Sequence, residues 1–193
     1  MAELRLYWVD QMPRVIYRHE STDRFVVGTV GQPGARTFYL QAESKSGLNT
    51  VMLDKGQVIG LVDRLLEMIK ELRRNNSIPK QQPVNLKIDN KPLTSPFDED
   101  FQVGLMSVTF ENQNFVLRIQ EIMPGDQLLI ADDVISDEDG PDLLIVKLNL
   151  NQIYSFIERA KKVVAAGRPD CMFCSLPIDP EGHLCPRANG YRR

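Results

Sequence analysis

Apolar residues recur along this chain at two spacings, and the switches between them divide it into elements. Phe25-Val26-Val27-Gly28-Thr29-Val30 is dense in β-branched and aromatic residues and predicts a strand. Gly31-Gln32-Pro33-Gly34 predicts a turn, because glycine supplies positive φ and proline presets its own. Strands over 36–42 and 48–53 follow, separated by Lys45-Ser46-Gly47. Asp54 then caps a helix in which Val58, Leu61, Val62, Leu65, Ile69 and Leu72 keep the spacing of one buried face. From 75 to 100 the pattern lapses. Asn75, Asn76, Pro79, Pro83, Pro92 and Pro96 punctuate a connector that holds one short candidate strand, 84–88. Strands over 101–110 and 115–122 then flank Glu111-Asn112-Gln113-Asn114, a hairpin turn, and another strand spans 143–148. A last helix runs from Leu150 to Ala166 with Ile153, Phe156, Ile157, Ala160 and Val164 on one face. Gly167 and Pro169 end it. Near the start, Leu4, Leu6, Tyr7 and Trp8 suggest a further strand limited by Pro13.

The two patterned regions resemble each other. Phe25-x-Val27-Gly28 matches Phe101-x-Val103-Gly104, and Phe38-Tyr39-Leu40 resembles Phe115-Val116-Leu117. Gln57-Val58 matches Gln152-Ile153, and Arg64 falls opposite Arg159. The expected fold is α+β: two related βββα units, an internal duplication, followed by a C-terminal zinc knuckle. The expected bounds are an extension over 1–20, a first unit over 21–75, a linker over 76–100, a second unit over 101–167 and the knuckle over 168–193.

Composition narrows the classes. The 193 residues carry a formal net charge of −3, so no overall basic field draws the protein to nucleic acid or an anionic membrane. No stretch approaches the roughly 18 apolar residues of a membrane span. Glu3, Arg5, Asp10 and Arg14 interrupt any signal-peptide apolar region, so the expected compartment is the cytoplasm.

All three cysteines lie between 171 and 185, an odd count that makes a poor disulfide framework. Cys171-x-x-Cys174 lets two thiolates reach one metal from a single turn. Pro177, Pro180 and Gly182 then reverse the chain toward His183 and Cys185. Three thiolates and an imidazole form a complete tetrahedral set for zinc with no position left for water, which points to structural zinc. Metal ligation, on the order of 10 kcal/mol or more, would supply the order that so few core-sized residues cannot. Asp179 or a second chain is the alternative to His183 as fourth ligand. A redox Cys-x-x-Cys would open a helix, whereas this one follows a helix end.

Other groupings carry less. Gly28-x-x-Gly31-x-x-Gly34 lacks the Gly-Lys-Ser/Thr ending and the following helix of a phosphate loop. Asp132, Asp133, Asp137, Glu138, Asp139 and Asp142 lack calcium-loop spacing and read as a solvated acidic loop. His19 reads as an ordinary surface residue. Arg24, Arg36, Gln41 and Gln57 sit at element ends, facing solvent or a common ligand.

Three segments resemble a known family: the run from Arg24 to Ala42, Ala165-Ala166-Gly167-Arg168-Pro169 leading into Cys171-x-x-Cys174, and the run from Asp179 to Arg192. The chain is similar over nearly its whole length to a bacterial family of uncharacterised proteins, a domain-of-unknown-function family common in high-GC Gram-positive bacteria. That resemblance implies a cytoplasmic bacterial protein and transfers no catalytic residue. The expected function is that of a zinc-containing binding or adaptor protein with an unidentified protein partner and no membrane. One alternative is an enzyme acting on a phosphorylated or carboxylated small molecule through arginines of the first unit. Another is nucleic-acid binding through the knuckle and the basic residues Arg187, Arg192 and Arg193. Whether the protein is an enzyme is left open by the residues alone.

Overall fold

The computed structural model describes residues 14–81, 83, 86–123, 129–130, 135–137, 140–167, 171–174, 178, 182 and 184–187. Among these, the chain forms a mixed α+β structure. Its strands are β1 (Ile16–His19), β2 (Thr22–Val30), β3 (Thr37–Ser44), β4 (Gly47–Leu53), β5 (Phe101–Glu111), β6 (Asn114–Glu121), β7 (Leu129–Ile130) and β8 (Leu143–Leu148). Its helices are α1 (Lys55–Arg74) and α2 (Leu150–Ala165). The sheet order is β1-β8-β6-β5-β4-β3-β2. Two antiparallel meanders, β2-β3-β4 and β5-β6-β8, meet where Val51 and Met52 of β4 run parallel to Phe101 and Gln102 of β5. Farther along β5, Leu105 and Met106 pair with β7 instead. The change of partner falls at a register shift between Val103 and Leu105, and Gly104 permits it. A Cβ on Gly104 would stand 2.6 Å from Ile122 Cα.

The turns are built as their residues require. Ala35 N–H donates to Gln32 O at 2.9 Å in the first hairpin, whose Gly31 and Gly34 take positive φ. Asn112 and Gln113, at φ 48° and 63°, give the β5–β6 hairpin two consecutive left-handed residues, the twist that suits a two-residue loop. Both helices open on a capping box. Asp54 accepts from Gln57 N–H while Gln57 accepts from Asp54 N–H, and Asn149 and Gln152 repeat the exchange.

One face of the sheet packs against the helices. Phe25, Val27, Leu40, Ala42, Val51, Phe101, Val103, Met106, Leu117 and Val146 meet Val58, Leu61, Leu65, Ile153, Phe156 and Ile157 in a single core. α2 packs on β2 and against α1. α1 reaches β5, where Gln57 Nε2 donates to Val103 O at 2.9 Å. Each helix therefore contacts the opening strand of the other meander, which interlocks the two halves.

The opposite face is covered as well, and here the structure departs from expectation. Residues 86–97 do not hang as a bare connector. Thr94 N–H donates to Gln41 Oε1 at 2.8 Å, and Gln41 Nε2 donates to Thr94 O at 3.0 Å. Phe97 meets the Tyr39 ring edge-on at 5.1 Å. This cover explains why β2 reads as a continuous apolar run: Val26 and Val27 point to opposite faces and both are buried. Residues 86–88 form no strand, and 84 and 85 lie outside the described residues. So do Leu4, Leu6, Tyr7 and Trp8. β1, unforeseen in the sequence, closes the far edge of the sheet in parallel with β8.

Candidate metal centre

The cysteine segment follows the end of α2. There Arg36 Nη1 donates to Ala166 O at 3.0 Å, holding the last turn against the first meander. Past it, the Sγ atoms of Cys171, Cys174 and Cys185 lie within 4.8 Å of one another. Cys171 and Cys185 are buried, with sulfurs 3.7 Å apart, and all three are free thiols. Phe173 N–H approaches Cys171 Sγ at 3.5 Å, as expected of a chain turning tightly about a sulfur. The backbone N–H groups of Phe173 and then Cys174 hold the Cys171 thiol below its ordinary range, with burial opposing. Amide donors aimed at a sulfur favour its thiolate, which is the metal-binding form. Arg187 Nη1 donates to Phe173 O at 3.1 Å and ties the return of the chain to its first turn.

Soft sulfur donors in this number suit zinc or another thiophilic metal. Sulfurs about 2.3 Å from one zinc ion at the tetrahedral angle stand about 3.8 Å apart. The Cys171–Cys185 separation fits that spacing, and a disulfide at about 2 Å does not. His183, the expected fourth ligand, lies outside the described residues, as do its alternative Asp179 and the basic tail from 188 onward.

The other residues singled out in the sequence turn out to hold the fold together. Arg24 donates to Asp89 Oδ2 at 2.6 Å, to Thr94 Oγ1 at 3.0 Å and to Pro92 O at 2.8 Å. Gln41 and Gln57 are buried and bonded, so neither faces solvent. Arg36, besides its bond to Ala166, lies over the Phe38 ring at 5.8 Å. Arg24 and Arg36 of the first unit thus both have internal partners.

His19 is a correction. It is 2% exposed, with Nδ1 2.7 Å from Ser44 Oγ and Nε2 2.9 Å from Asn49 Oδ1. A lone histidine beside Glu20 and Ser21 gives no sign of this, because its partners come from β3 and β4. The acidic loop is also less free than expected. Asp137 accepts from Arg118 Nε at 2.9 Å and Arg18 Nη2 at 3.0 Å, while Asp142 accepts from Val15 N–H at 2.9 Å. Asp132, Asp133, Glu138 and Asp139 lie outside the described residues. Sequence reasoning also passed over Asp89 and underrated Arg159. Arg159 Nε donates to Val27 O at 2.7 Å, and its Nη1 donates to Lys91 O at 2.8 Å.

A family model described as "Protein of unknown function (DUF3090)" matches residues 17–185. The chain belongs to that family. The family match takes in the sheet, both helices and all three clustered cysteines. Comparison with curated proteins and with solved structures returns no match.

Proposed function

We propose that this member of the family is a zinc-containing binding or adaptor protein whose C-terminal segment encloses a structural zinc ion. Cys171, Cys174, His183 and Cys185 are its ligands. The observation that carries this reading is the convergence of three thiols within 4.8 Å on a chain with no other cysteine. His183 stands two residues from Cys185 and supplies the fourth donor, with Asp179 or a second chain as the alternative. A filled set of four excludes water, so the ion organises the loop rather than activating a nucleophile.

The side chains between the ligands support the binding half of the reading. Met172, Phe173 and Leu184 are 87%, 57% and 86% exposed. With the sulfurs turned inward, these apolar groups are turned out, and apolar side chains displayed on a metal-fixed loop suit a protein partner. Free thiolates fit a reducing compartment, which supports a cytoplasmic location.

The two meanders with their helices read as copies of one βββα unit, over 21–75 and 101–167. Supporting this are the matched residues, the paired capping boxes with glutamine at the same place, and the reciprocal reach of those glutamines. Gln57 bonds to Val103 O in β5, and Gln152 Nε2 donates to Thr22 O in β2 at 2.6 Å.

Metal content of the purified protein, measured with a Cys171→Ser variant, tests the central claim. One equivalent of zinc in the native protein, lost in the variant, is the expected result. A folded native protein that contains no metal and titrates as three free thiols would overturn it. His183→Ala and Asp179→Ala then identify the fourth ligand, since only the true ligand's loss weakens retention.

A further inference from the structure

A groove of about 420 Å³ opens between the end of β2, the segment after Asn90 and the last turns of α2. Its polar wall carries Arg159, Lys91 and Lys162, and among the described residues no carboxylate lines it. Its apolar wall is formed by Leu93, Phe97 and Val163. The neighbouring groove of about 350 Å³, across Arg24, differs in being lined by Asp23 and Asp89.

Arg159 makes this a built site rather than a patch of surface lysines. The residue is only 7% exposed. Nε is spent on Val27 O, and Nη1 on Asp89 O and Lys91 O. Nη2 forms no hydrogen bond among the described residues and is not itself buried, so this mostly buried guanidinium keeps one donor edge open to solvent. Its charge is only partly neutralised. Asp89 lies 3.4 Å from Arg159 Nη1 but 2.6 Å from Arg24 Nε, so two guanidiniums share one carboxylate. A buried cation with spare donors and excess charge favours an anion.

We propose that this groove binds a small organic oxyanion, a phosphate monoester or carboxylate. Arg159 Nη2, Lys91 and Lys162 take the charged end, and Leu93, Phe97 and Val163 pack on its apolar body. The cavity volume and its mix of apolar lining with a few convergent polar groups fall in the range of small-molecule sites. The lysines are exposed, whereas Arg159 is fixed beforehand by its hydrogen bonds, which limits the entropy lost on binding. This site is independent of the zinc reading.

Phenyl phosphate, benzoate and neutral phenol, titrated into the full chain and followed by backbone amide NMR, test it. Saturable shifts confined to Thr29, Val30, Lys91 and Val163 are expected with either anion or both, and whichever binds more tightly names the charged group. A Lys91→Glu/Lys162→Glu variant, altered only at exposed positions, should bind at least tenfold more weakly while keeping native amide dispersion. Absence of saturable shifts there with both anions would overturn the proposal. So would phenol binding as tightly as the anions, or undiminished binding by the double variant.

Discussion

At Arg159 a single side chain joins the free edge of β2, the segment that wraps it and α2. Its bonds to Val27 O, Asp89 O and Lys91 O satisfy carbonyls that have no strand beside them, and they shield an edge otherwise open to pairing. Arg159→Met keeps much of the side-chain volume but strands those acceptors. A loss of roughly 3 kcal/mol in urea unfolding is expected, and a loss under 1 kcal/mol would show that water replaces the guanidinium freely. The carboxylates of these networks set the acid limit of stability. The Asp89 carboxyl is held below its usual range chiefly by the Arg24 hydrogen bond, against burial. For Asp137, burial acts upward but is outweighed by hydrogen bonds from Arg118 and Arg18, and Glu111 is lowered first by Thr109. A lowered folded-state pKa contributes stability that is complete above the unfolded value, about 4, and is lost as pH falls through the folded one. The urea midpoint should therefore be level from pH 7 to about pH 5 and drop below about pH 4. Asp89→Asn should flatten part of that drop.

At the scale of elements, what could be read from the sequence depended on whether the deciding contacts are local. The hairpins β2-β3, β3-β4 and β5-β6, both capped helices and β8 are encoded within a few residues, through turn residues, cap side chains and helix-spaced apolar groups. β1 is four residues, Ile16–His19, and exists because β8, more than a hundred residues on, offers it a parallel edge. Nothing near it in sequence carries that information. The segment after Pro83 failed for the same reason: its prolines were legible as breaks, but its pairing with Gln41 and Arg24 is long-range. The three cysteines were legible because metal ligands must be chemically rare. His183 could be proposed only from its spacing. Caps, being local, give the cleanest element-level test. Asp54→Ala and Asn149→Ala each remove an acceptor for an otherwise orphaned helix N–H and should each cost about 1 kcal/mol. Because α1 and α2 pack together, the double variant should cost at least the sum. Single losses near zero would mean the capped turns are frayed already.

At the scale of the whole molecule, the sheet and helices draw their core from residues between Phe25 and Ala160, all of which precede the cysteines. Among the described residues, Arg36 ties the end of α2 to the first meander through Ala166 O. Two stabilities should therefore coexist, one set by apolar burial and one by metal. Ligand removal lowers the stability of a unit only when that unit binds the ligand in its folded state. A chelator should thus abolish hydrogen-exchange protection over 171–187 and leave the main unfolding transition within about 0.5 kcal/mol of its starting value. Arg36→Ala should loosen the end of α2 without releasing metal. If chelation instead lowered the main transition by several kcal/mol, the cysteine segment would have to be an integral part of the core. Its exposed Met172, Phe173 and Leu184 would then be better explained as buried against the body in solution than as a surface for a partner.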